Sequence, residues 1–133
     1  MVKKLDIHEI LREYPPRFES RPYHSPQADC VKYFLEDVDH FADRIDCWLT
    51  LYRAMDDKRM IGFKLKNIRT LLSAFDELGL DVWVSKTKRK WIIRLKAAIG
   101  YVGMVEPSMP TLEPYHDVIG VVDAKETVDL VPI

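Results

Sequence analysis

A chain of 133 residues with 47% hydrophobic and 31% charged side chains has the composition of an ordinary globular protein, with length enough for one core and not two. No apolar run approaches the roughly 20 residues that a membrane-spanning helix needs, and Lys3-Lys4 has no apolar stretch behind it of the kind a secretory signal carries. The net charge of −1 conceals segregation, because residues 58–103 carry 11 basic and 3 acidic side chains while both flanks are acidic. Such asymmetry marks either an anion-binding face or a basic element packed beside acidic ones.

In chain order, Asp6-Ile7-His8-Glu9 has the form of a capping box, and Ile7, Ile10 and Leu11 share a helical face. Pro15-Pro16 ends that helix, and a loop runs from about Arg17 to Ala28. Cys30 to Glu36 alternates as a strand, with Val31, Tyr33 and Leu35 on one face. Residues 37–43 read as a polar connection. Asp46 to Ala54 is a second strand, apolar on both faces and therefore central; Cys47, Leu49 and Leu51 face one way and Trp48, Thr50 and Tyr52 the other. After a turn at Met55–Lys58, Arg59 to Lys66 returns as a third strand, with Ile61, Phe63 and Leu65 inward and Gly62, Lys64 and Lys66 outward.

Ile68, Leu71, Leu72, Phe75 and Leu78 repeat at helical spacing, between an N-cap at Asn67 and a C-terminal cap at Gly79. Residues 81–84 read as a short strand. Over 87–102 two periods compete. Trp91, Ile92, Leu95, Ala98, Ile99 and Val102 form a helical stripe opposite Arg89, Lys90, Arg94 and Lys96, whereas Trp91, Ile93 and Leu95 fit one face of a strand. The helical matches are more numerous, so a helix is expected. Residues 103–115 hold Pro107, Pro110 and Pro114 and read as irregular, Val118 to Val122 as a last strand, and the end from about residue 124 as loose.

The stretch from Leu49 to Leu65, with Asp56-Asp57-Lys58-Arg59-Met60-Ile61-Gly62-Phe63 at its heart, resembles a family of short uncharacterised bacterial proteins with an Asp-x-x-Gly-Arg-Ile-Val-Gly-Ile-Glu-Ile hairpin. Lys58 stands at that family's turn glycine and Lys64 at its acidic position. The resemblance covers about residues 46–66; it implies a small sheet in a bacterial protein, and no activity.

The acidic cluster of Glu36, Asp37, Asp39, Asp43 and Asp46 with His40 has oxygen ligands suited to magnesium or manganese, but its order matches no calcium loop, and a solvated connection explains it equally. His24, His40 and His116 have no metal-ligand spacing and would have to converge in space. No nucleophile elbow or phosphate loop occurs. Cys30 and Cys47 form no Cys-x-x-Cys pair and read as small buried hydrophobes in a reducing, cytoplasmic compartment. The basic run 86–96 offers Lys88, Arg89, Lys90, Arg94 and Lys96 as phosphate contacts; the plain alternative is a solvated helix face.

The expectation is a single α+β domain over 1–133, with a small antiparallel sheet centred on the 46–66 hairpin and two or three helices on one face. No catalytic residue, metal or cofactor is assigned. The first functional expectation is a binding or accessory protein acting through a protein partner or its own dimer, with Phe34, Trp48 and Tyr52 as interface aromatics. The alternatives are nucleic-acid binding through 86–96 and a metal-dependent enzyme with a His and Asp site.

Overall fold

The computed structural model describes residues 18–78, 82–87, 90–105 and 112–130. The Asp6–Glu9 capping box and its helix, Gly79, Lys88 and Arg89 lie outside the described residues. The architecture is α+β. Strands β1 (Tyr23–Ser25), β2 (Cys30–Phe34), β3 (His40–Arg44), β4 (Leu49–Ala54) and β5 (Met60–Lys66) form an antiparallel sheet in the order β1-β2-β5-β4-β3. After α1 (Ile68–Leu78), strands β6 (Trp83–Lys86), β7 (Trp91–Arg94) and β8 (Thr127–Leu130) form a second antiparallel sheet, and α2 (Leu95–Val105) and α3 (Leu112–Val121) lie in sequence between β7 and β8.

The apolar alternation of the hairpin puts β5 in the middle of the larger sheet. Val31, Tyr33, Leu49, Leu51, Phe63 and Leu65 face the main core, where they meet Ile68, Leu71, Leu72 and Phe75 of α1. Ile93, Val128 and Leu130 of the second sheet join the same core. Ile61 departs from the inward expectation. The register between β4 and β5 shifts after Tyr52, so that Tyr52 pairs with Gly62 and Arg53 with Met60. Ile61 is the extra residue of this bulge, and it is carried to the opposite face, where it packs with Tyr52, Ala54 and Phe34.

Gly62 is paired with both Phe34 and Tyr52, whose rings stack with centroids 4.7 Å apart. A Cβ at Gly62 would stand 2.6 Å from the Tyr33 carbonyl oxygen, so this position excludes any side chain. The hairpin turn closes with Ala54 N–H donating to the Arg59 carbonyl at 2.9 Å and Lys58 N–H to the Ala54 carbonyl at 3.0 Å. Lys58, at the glycine position of the family pattern, has φ 63°.

Several expectations are corrected. Residues 40–44 are not a polar connection but an edge strand, whose exposed polar side chains suit a sheet edge. Asn67 does not cap α1 with its side chain; its amide donates to the Cys47 carbonyl at 2.7 Å. Asp29 caps the helix instead, accepting from Arg69 N–H on its carboxylate at 3.0 Å, with its carbonyl 3.3 Å from Ile68 N. Leu78 is exposed.

The segment 87–102 divides into both competing structures: 91–94 is strand, and the helix begins at Leu95. Residues 118–121 are helix, because Pro114 lies in the first turn of α3, where no backbone N–H needs a helical partner. Residues 127–130 form β8, which pairs with β7 and buries Val128 and Leu130. Cys30 is buried as expected, but Cys47 is exposed.

Candidate functional site

Residues paired in register across a sheet share a face. On the face of the larger sheet away from the main core, Tyr23 pairs with Lys32, Lys32 with Lys64, Lys64 with Thr50, and Thr50 with Arg44. One transverse row therefore crosses all five strands as Tyr23, Lys32, Lys64, Thr50 and Arg44, over roughly 19 Å at the usual strand spacing. Lys66 stands two residues beyond Lys64 on the same face, paired with Cys30. Arg44 and Tyr23, at the two edges, are exposed, and the three lysines are half-buried.

The electrostatics of this row are one-sided. Among the described residues no carboxylate lies within ion-pairing distance of Lys32, Lys64, Lys66 or Arg44. The Lys66 ammonium donates to the Asp46 carbonyl at 2.6 Å. Burial, and then the cations of Arg44 and Lys64, hold Lys66 below the ordinary lysine pKa, against the opposing pull of Asp46 and Cys47. Lys32 and Lys64 face each other directly, a like-charge pair that costs stability in a sheet.

The other end of this face is aromatic. Phe34, Tyr52 and His40 form a triangle of rings with centroid distances of 4.7, 5.2 and 5.4 Å. Tyr52 is the base of the triangle, 8% exposed, with its phenol pKa raised by burial and then by Cys30 and Tyr23. His40 is exposed, and Nδ1 of its ring lies 2.9 Å from the Val38 carbonyl oxygen.

The residues picked out by sequence are distributed differently. Phe34 and Tyr52 meet in the aromatic triangle, but Trp48 precedes β4 in a turn and packs against the main core. In the 86–96 segment, where a basic helix was expected, Lys86 ends β6, residues 91–94 form β7, which pairs with it, and the helix begins only at Leu95. Lys90 is ion-paired with Asp129 at 2.9 Å, and Arg94 donates to the Trp83 carbonyl at 3.1 Å. Lys96 is half-buried on α2.

The acidic cluster disperses into structural roles. Glu36 binds Arg59 at 2.8 Å, and Asp43 binds Arg53 at 2.8 Å. Asp46 accepts from Trp48 N–H, Leu49 N–H and the Tyr115 hydroxyl. His24, His40 and His116 do not converge: no group of three or more metal-ligating side chains occurs among the described residues.

Lys32, Lys64 and Lys66 were legible as outward strand residues, but only the register brings them and Arg44 together. Among the described residues no helix is long and apolar enough to cross a membrane. Comparison with protein-family models, curated proteins and solved structures finds no match to this chain.

Proposed function

We propose that the protein is a binding protein for single-stranded nucleic acid, with Lys32, Lys64, Lys66 and Arg44 and the accessible rings on the same face of the larger sheet as its contacts. One observation carries this reading: four cations stand on one sheet face with no described carboxylate within ion-pairing distance, whereas Arg53, Arg59, Lys86 and Lys90 are each ion-paired. Like charges held together in a fold favour a bound anion, and a row of them suits a repeating one. The aromatic rings on the same face favour a single strand, because its unpaired bases are free to stack on them. Phe34, His40 and Tyr23 are the rings with accessible surface on this face, and Tyr52 packs against Phe34 and His40.

The test is fluorescence anisotropy with a labelled single strand and a matched duplex, in DNA and RNA forms. The wild-type protein is expected to prefer the single strand. Reversing charge with K64E and R44E is expected to weaken binding by at least about tenfold, while R89E and K90E, between β6 and β7, leave it nearly unchanged. The opposite ranking of the two double variants would move the site to the second sheet.

A further inference from the structure

The second sheet and α1 flank a half-open pocket of about 230 Å³ that the proposed nucleic-acid surface does not use. Its wall is formed by Trp83 and Trp91, neighbours on β6 and β7, whose rings stand at 88° with centroids 5.8 Å apart. The Lys86 ammonium lies 4.9 Å from the Trp83 centroid and 5.2 Å from that of Trp91, and 2.7 Å from Oδ2 of Asp76. The positive group therefore meets two π faces and a carboxylate at once, an arrangement that attracts cations through the ring quadrupoles and by direct charge.

We propose that Trp83, Trp91 and Asp76 form a binding site for a quaternary ammonium group, in which the Lys86 side chain is a displaceable occupant. A lysine ammonium is compact and strongly hydrated, so it uses the rings poorly. A methylated ammonium is larger, carries less water, and puts methyl groups against both indoles and against Leu72, which also lines the pocket. Lys86 can yield the position, because it ends β6 at the edge of the second sheet and its side chain is 39% exposed. Arg69 stands seven residues before Asp76 on α1, about 10.5 Å along the helix axis, and also lines the pocket. It disfavours a second positive charge, so the ligand is a monocation.

The probe is tetramethylammonium chloride, followed by the proton resonance of its methyl groups, with sodium chloride holding ionic strength constant. Methyl groups enclosed by two indoles shift upfield through the ring currents. Lys86→Ala is expected to give a saturable upfield shift with a Kd of about 1 mM. Wild-type protein is expected to bind about fivefold more weakly because Lys86 competes. Adding Asp76→Asn to Lys86→Ala is expected to weaken binding again by about fivefold. Circular dichroism verifies that each variant is folded. The absence of a saturable upfield shift in folded Lys86→Ala would overturn the proposal, as would a shift indifferent to Asp76→Asn.

Discussion

Among the described residues, three other than glycine hold positive φ: Asp29 at 52°, Lys58 at 63° and Asn67 at 58°. For a residue with a long side chain this conformation costs about 1–2 kcal/mol. Lys58→Gly is therefore expected to raise stability by about 1 kcal/mol in chemical denaturation, with no change in the hairpin. Asp29 tolerates the conformation better and uses it to cap α1 from 40 residues away in sequence. Asp29→Ala is expected to cost about 1–2 kcal/mol, and Asp29→Asn to retain most of the stability, since an amide oxygen also accepts from Arg69 N–H.

His24 gives a pH dependence at the same scale. Its pKa is held below 6.5, first by burial, with Arg69 reinforcing and Asp29 opposing. The unfolded chain takes up a proton that the fold excludes, so this contribution is complete above pH 6.5 and is lost as pH falls below it. His24→Gln is expected to flatten that part of the stability profile, and an unaltered slope would assign it to other groups.

At the scale of elements, the strand β5 and the helix α3 carry the clearest tests. Gly62→Ala is expected to cost about 2–3 kcal/mol, because the added carbon meets the Tyr33 carbonyl and the Phe34 backbone as well as the Phe34 ring. Tyr115→Phe is expected to cost about 2 kcal/mol, because its hydroxyl donates to the Asp46 carboxylate that also holds the turn before β4.

These elements also show what the sequence made legible. The 46–66 hairpin and α1 have one clean period each, and both form with ends within a few residues of those expected. Over 87–102 two periods overlap at Leu95, which ends the alternation of Trp91 and Ile93 and begins the stripe of Ala98, Ile99 and Val102. A single-period reading had to lose one of them. The prolines of 103–115 hid α3, because a proline that breaks a helix interior is harmless in its first turn. The bulge at Ile61 left no mark, since its one-residue shift arises from pairing and not from composition.

For the whole molecule, the segregation of charge along the chain was visible, but its meaning was not. The basic stretch is shared between two sheets, and in the second its cations are partly neutralised by Asp76 and Asp129. The row on the larger sheet depends on a register linking residues 23, 32, 64, 50 and 44, which no local pattern encodes. If that row is kept for binding, it carries a stability cost. Lys64→Gln is expected to raise stability by up to about 1 kcal/mol, by relieving Lys32, while weakening nucleic-acid binding.

The most direct test is the salt dependence of binding to a single-stranded oligonucleotide. With Lys32, Lys64, Lys66 and Arg44 each neutralising one phosphate, the logarithm of the affinity is expected to fall against the logarithm of salt with a slope of roughly −3, reduced to roughly −1.4 in the Lys64→Gln, Arg44→Gln double variant. A wild-type protein that binds no single strand at low salt, or one whose slope is unchanged by the double variant, would contradict the assignment of this sheet face.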